Sequence, residues 1–376
     1  ITPITRFHFI SFWSSFLLLT IVSQGQQTVQ DAGPSTTASQ RSLSWELHQK
    51  LALQSQRKGI DWRPVGPRKS GGRIESIACP QNNSSTIYVG AGSGGLWKTV
   101  NNGITWNPIF ENQSTCAIGD VAVAASNPNI VWVGTGEVLM ARSALAGAGV
   151  FKSIDAGKTW ENMGLQDTHH IGRVLIHPNR PEVVYVAAIG HRSSPNNSRG
   201  LFKTSNGGKT WQKVLFINDH TAVIDLVMDP SNPEILYTTT WQRDTDGQDH
   251  YGVNSGVYKS LNAGKSWSRL AGGLPEGDHV GRIGIDVAAT NPNIVYAIVD
   301  GGRDKDGIFR SADAGITWQQ INKTPIPVGW DWCEIRVSPD DENTVYSIGQ
   351  NSYYSTDGGR TFEKIGGTIV HMQSHP

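Results

Sequence analysis

Seven charged side chains stand near the start of short apolar segments: Arg73, Glu75, Asp120, Arg173, Asp225, Arg282 and Glu334. The four carboxylates are candidate acid and base groups. Glycoside hydrolysis needs two of them ~5 to 9.5 Å apart, a spacing that sequence does not supply. The three arginines could hold an anion or sugar hydroxyls. Trp241, Trp330 and Trp332 could stack on a sugar or anchor a peptide. The same charges read equally as ion pairs and carboxylate-to-backbone bonds that hold neighbouring elements in register, since charge near an axis is costly unless it is paired. Histidines cluster in DTHH (167–170), NDH (218–220) and GDH (277–279). Without a compact ligand spacing such as His-Glu-x-x-His, neither a metal nor another cofactor is expected.

The elements that must position these residues repeat. The pattern Ser/Thr-x-Asp/Asn-x-Gly-x-Thr/Ser-aromatic ends at Trp106, Trp160, Trp211, Trp267, Trp318 and Phe362. That period of roughly fifty residues, with four short strand-like runs per unit, marks a β-propeller. RIESIAC, TIYVGAG, GLWKTV and TWNPIF give the inner, second, third and outer strands of the first unit. The repeated octapeptide is then the hairpin joining third and outer strands. Its acidic or amide position falls at Asn101, Asp155, Asn206, Asn262, Asp313 and Asp357. A side-chain oxygen there can accept from loop N–H groups, and the glycine permits a left-handed turn. Asn at three of six copies keeps the hydrogen bonding but not a charge, so the hairpin reads as a structural staple.

The fold expected is all-β, with blades at about 70–115, 116–165, 166–217, 218–275, 276–325 and 326–366. DWRPVG (61–66) copies the outer-strand pattern of TWENMG (159–164) with no strands of its own before it. Propellers often close by letting an N-terminal strand complete the last sheet. Six units plus one extra outer strand imply at least seven blades, so the propeller segment 60–376 is expected to be incomplete at its C-terminus, with further blades or domains beyond residue 376. The longer insertions, at 136–149, 190–200, 241–256 and 300–307, all fall on the top face, together with the charged ring at the channel mouth. Function usually sits on such loops.

Before the repeats, Arg6 followed by an apolar run from Phe9 to Val22, with Ser23 and Gly25 behind, reads as a signal peptide over 1–25 and predicts a secreted or cell-surface protein. Residues 26–41 read as a flexible linker. Residues 42–59 read as a short amphipathic helix with Leu43, Leu47 and Leu51 at four-residue spacing. Lys plus Arg and Asp plus Glu balance at 32 each, which removes the basic field that nucleic-acid binding would need. No other segment is apolar enough to span a membrane. The three cysteines are not placed to form disulfides.

GGRIESIACP, IYVGAGSGGLWKTVNNGITW, GVFKSIDAGKTW and GVYKSLNAGKSW resemble the Asp-box, or bacterial neuraminidase, repeat, in the phrasing of large secreted bacterial propellers grouped with the sortilin-type domain. The likeness covers about 60–366. It implies either a glycosyl hydrolase or a binding domain, because Asp-boxes occur in sialidases, xyloglucanases, sortilin-like receptors and photosystem assembly factors. Sialidases carry Arg-Ile-Pro, and here Arg73-Ile74 is followed by Glu75. Xyloglucanases place catalytic aspartates between two propellers. The function expected is a scaffold binding a peptide or glycan at the top face and channel mouth, with a xyloglucanase- or sialidase-type hydrolase as the alternative.

Overall fold

The computed structural model describes residues 36–55, 72–139, 144–243, 250–302, 305–322, 333–349 and 351–365. Within them lie six four-stranded antiparallel sheets, each formed by four consecutive strands in simple up-and-down order. The inner strands are Ile74–Ala78, Ile118–Val123, Ile171–Ile176, Thr221–Met228, Ile283–Val287 and Glu334–Val337. The chain is a six-bladed propeller over these residues. DWRPVG, the expected seventh outer strand, lies outside them, as do the signal-peptide segment, Trp330 and Trp332.

The apolar cores lie between blades rather than within them. The first joins Tyr88, Leu96 and Phe110 of blade 1 to Val121, Val133, Phe151 and Trp160 of blade 2. Equivalent cores join blades 2 and 3, 3 and 4, 4 and 5, and 5 and 6. Alternating side chains put one face of each inner strand into such a core and leave the other facing the axis.

The hairpins behave as staples. In blade 2, Asp155 Oδ1 accepts from Ser153 Oγ at 2.7 Å, Lys158 N at 3.0 Å and Thr159 N at 2.9 Å. Its Oδ2 accepts from Thr159 Oγ1 at 2.6 Å. These bonds, those from Thr159 first, hold the Asp155 carboxyl well below the usual carboxylate range. In blade 1 Asn101 Oδ1 accepts from Thr105 N at 3.0 Å while its amide donates to Thr105 Oγ1 at 2.9 Å. Asn206 and Asn262 repeat that arrangement. The amide therefore reverses one bond and keeps the loop, which is why both residue types are tolerated.

The staples also lock blade to blade. Tyr88 Oη and Lys98 Nζ of blade 1 donate to the Ala156 carbonyl in the blade 2 hairpin, at 3.1 and 2.9 Å. Tyr185 and Lys203 do the same to Ala263, and Tyr237 and Lys259 to Ala314. Each acceptor residue sits at positive φ, between 54° and 60°. That left-handed turn costs a non-glycine residue energy but points its carbonyl at the preceding blade.

Before the propeller one helix spans Ala38–Gln54. It begins inside the segment read as linker and ends short of residue 59. Its leucines do not pack as a buried stripe: Leu43, Leu47 and Leu51 are all exposed. Arg41 instead ties the helix to the blade 3 approach, donating to Gln166 O at 3.1 Å. No helix among the described residues is long and apolar enough to cross a membrane. Cys79, Cys116 and Cys333 are all free thiols.

Candidate functional site

The inner-strand charges come together between the blades, bound to one another and to backbone. Asp225 Oδ1 accepts from Arg173 Nε and Nη2 at 3.0 and 2.6 Å and from Leu226 N at 3.0 Å. Its Oδ2 accepts from Ile285 N of the next blade at 3.1 Å and lies 3.5 Å from Arg336. Asp120 bridges in the same manner: Oδ1 takes Ser76 Oγ and Val121 N, and Oδ2 takes Val174 N of blade 3 at 2.7 Å. Asp286 repeats the motif between Val287 N and Val337 N. Each aspartate thus hydrogen-bonds its own strand and the inner strand of the following blade. Burial works against charge on Arg173, but Asp225 and Asp120 more than offset it and hold its pKa above the ordinary arginine value.

Arg73 pairs with Glu137 from the top insertion of blade 2. Arg282 lies 3.9 Å from Glu334 and donates to Val138 O across the mouth at 3.4 Å. Arg336 lies 3.7 Å from the other oxygen of Glu334. Glu75 is fully buried, and that burial pushes its carboxyl up to about 8 against the pull of Arg282 and Arg73. Burial likewise pushes Asp286 to about 7.

Trp241 is not a surface platform. It is fully buried, donates from Nε1 to His250 O at 2.8 Å, and has Arg243 5.0 Å and Arg282 5.9 Å from its ring. With Val138, Ile189, Ala222 and Ile224 it forms a small buried apolar cluster. Glu137, Arg243, Asp286 and Arg336 were not singled out in the sequence. The regular spacing of inner-strand charges could have revealed Asp286 and Arg336, whereas nothing local marks Glu137 as reaching another blade.

His169, His170 and His191 gather at the approach to blade 3, whereas His220 and His279 lie beside Asp219 and Asp278 on their own connections. His169 and His191 stack with centroids 3.8 Å apart, and His170 is buried with Nδ1 2.9 Å from Glu137 O. Burial, with the neighbouring His191 and Arg41 charges, lowers His169 to about 4. Burial chiefly lowers His170 to about 3. No group of three His, Cys, Asp or Glu among the described residues could hold a metal ion. A cleft of about 440 Å³ opens at the junction of blades 1 and 2, lined by Leu96, Trp97, Phe110, Glu111, Cys116 and Leu145 among others.

The BNR/Asp-box repeat model matches residues 353–364, the blade 6 hairpin, where Asp357 makes the same bonds as Asp155. The chain is an Asp-box β-propeller. The model described as sortilin, neurotensin receptor 3, matches residues 148–275 of this propeller. A xyloglucanase from Paenibacillus sp is 23% identical over 241 residues, 54% of this chain and 21% of that protein. A xyloglucanase from Hypocrea jecorina is 32% identical over 127 residues, 29% of this chain and 15% of that one. The propeller therefore spans about a fifth or less of these curated relatives. Among solved structures, the GH74 xyloglucanase from Xanthomonas campestris superposes with a TM-score of 0.56 at 15% identity, over 80% of this chain and 47% of that one. YCF48 bound to D1 peptide gives 0.52 at 15% identity, over 81% and 86%. At these identities the solved structures share the fold.

Proposed function

We propose that this propeller is a secreted binding scaffold whose ligand is a peptide, held on the top-face loops rather than inside the channel. The observation that carries this reading is the engagement of the mouth carboxylates. Asp120 and Asp225 each accept from the backbone of two blades, and a carboxylate holding a seam together is poorly placed to exchange protons with a substrate. The inward position of Trp241 removes an aromatic face on which a sugar would stack. A propeller of the same fold, YCF48, holds a peptide in its solved structure. The cleft at blades 1 and 2 supplies an apolar pocket with Glu111 among its lining residues, suited to anchoring one peptide side chain.

The experiment is a peptide-array screen against the folded chain, repeated with Leu145→Arg. Leu145 is 44% exposed on the cleft, so this variant should fold as the parent does. Selected peptides that bind the parent and bind the variant at least about tenfold more weakly support the reading. Binding unaffected by the substitution, or no peptide selected, overturns it.

A second reading, a glycoside hydrolase, is favoured by one observation. The Glu75 carboxyl, raised to about 8 with Glu334 among its charged neighbours, has the pKa of a general acid. Its full burial argues against substrate access. Turnover of xyloglucan by the parent, abolished in a folded Glu75→Gln protein, would establish this second reading instead.

A further inference from the structure

The imidazoles at the approach to blade 3 stand in a local excess of positive charge. Arg41, from the helix Ala38–Gln54, brings its Nη1 to 3.4 Å from Nε2 of His169, which is stacked on His191. The charged side chains acting on His169, His170 and His191 are the guanidiniums of Arg41, Arg192, Arg199 and Arg243 and the carboxylate of Asp167. Asp219 faces Arg199, and Glu137, whose carbonyl meets His170, has its carboxylate on Arg73. Among the described residues the arginines here therefore outnumber the acids that answer them, in a chain whose net charge is zero.

Arg199 sharpens the imbalance. It is fully buried, and its Nη2 donates to the carbonyls of His191 and Ser194 at 2.9 and 3.4 Å, while Nε and Nη1 have no hydrogen-bond partner among the described residues. Burial lowers it to about 10, which leaves it charged at neutral pH. A buried guanidinium with unmet donors is costly unless an anion answers its charge, and in a low-dielectric loop its field carries to His191. Arg41, His169, His191 and Arg192 are only half-buried, so solvent reaches the cluster. The cluster also adjoins the cleft between blades 1 and 2. Gly147 N donates to His169 O at 2.6 Å, and the two residues before it, Leu145 and Ala146, line the cleft. Two residues of chain span at most about 7 Å.

We infer that this cluster is a carboxylate-binding subsite and that the peptides this propeller takes are acidic, with an apolar side chain in the cleft and aspartates or glutamates a few residues away on Arg41, His169, His191 and Arg192. The inference rests on the peptide reading above and names the class of peptide. Charge complementarity fixes the ligand's sign, and the adjoining apolar cleft fixes its kind, since a peptide offers an apolar side chain and carboxylates within a few residues of one another. A long polyanion such as a nucleic acid would need basic charge repeated along a track, whereas this chain balances 32 basic residues with 32 acidic ones. The site is also pH-sensitive. Burial first, then neighbouring positive charge, holds His169 at about 4, and burial lowers His191. A bound carboxylate favours the protonated imidazoles, so binding takes up protons and strengthens as pH falls.

The test follows fluorescence anisotropy of labelled hexaglutamate and hexaglutamine with the parent chain, with Arg192→Gln, and with Lys209→Gln, which removes an exposed cation from the hairpin of the same blade. Hexaglutamate should bind the parent at least about tenfold more tightly than hexaglutamine, and Arg192→Gln should remove most of that preference while Lys209→Gln keeps it. Between about pH 8 and about pH 5.5 hexaglutamate binding should tighten several-fold, and His191→Gln, a second probe of the same site, should reduce that gain. Equal binding of the two peptides, or equal effects of Arg192→Gln and Lys209→Gln, would overturn the inference. So would displacement of hexaglutamate by an oligothymidylate of equal charge at lower concentration, which would make a nucleic acid the ligand. Because hexaglutamate has no apolar anchor, Leu145→Arg should not weaken it. Failure of the cleft reading in the peptide array and failure of this subsite are therefore read separately.

Discussion

Replacing Asp225 by asparagine removes one charge from the most heavily bonded carboxylate of the channel and changes little in volume. Arg173 loses its hydrogen-bonded counter-ion and keeps only more distant carboxylates such as Asp120, and Arg336 keeps Glu334. The new amide also turns donors toward the Ile285 N–H or toward Arg173, whichever way it is flipped. All three side chains are nearly inaccessible to water, so the abandoned guanidinium cannot recover its hydration. Breaking a buried pair from one side costs about 3 to 5 kcal/mol. At ~2 °C per kcal/mol for a domain of this size, the melting midpoint should fall by about 6 to 10 °C. Calorimetry at neutral pH reads the shift, and it should be nearly the same at low and high salt because the pair is shielded from ions. Arg173→Met combined with Asp225→Leu should recover much of the loss, since the isolated charge goes with its partner. A single-variant shift under about 1 °C, or one abolished by salt, would refute the account of these aspartates as buried struts.

Asp155→Ala should lower the melting midpoint while Asp155→Asn stays close to the parent, because three sibling loops already use Asn; a folded Asp155→Asn protein that lost peptide binding in the array assay would contradict the staple. For Glu75 the folded carboxyl holds its proton up to about 8 while the unfolded one loses it near 4.5, so stability from this group declines as pH rises between those values. Glu75→Gln, which mimics the protonated form, should match the parent near the lower value and melt progressively higher than it toward the upper one, and a constant offset in melts across that range would be inconsistent with the shift. Tyr185→Phe should cost about 1 kcal/mol by removing the donor to Ala263 O, read as a midpoint drop of about 2 °C; an unchanged midpoint would remove the latch from the account.

The hairpins were legible in sequence because their chemistry is local. Ser153, Asp155, Gly157 and Thr159 bond within one octapeptide, so spacing alone specifies them. The inner-strand charges were legible in sequence, but most of their partners were not, since all the pairs except Arg336 with Glu334 join different blades and depend on which blade lies alongside. Arg73 takes Glu137, which an insertion of the next blade carries. Trp241 was named as a residue that could stack on a sugar or anchor a peptide, and it is instead buried beside Val138 and the guanidinium of Arg243. The leucine stripe of the N-terminal helix gave the correct element type but the wrong outcome for its face, because periodicity records what could be buried and not whether a partner is present.

The latches between blades point one way along the chain: the tyrosine and lysine belong to the earlier blade, and the carbonyl they seek belongs to the later hairpin. A ribosome delivers blades in that same order, so each sheet emerges with its aromatic and cationic side chains unsatisfied until roughly fifty more residues have appeared. Assembly is therefore vectorial, with every new hairpin closing the seam behind it and leaving one fresh sticky face in front. A nascent chain stalled between blades would carry that face, which makes the interval between successive hairpins the period of greatest exposure to misassociation and the natural window for a chaperone to act.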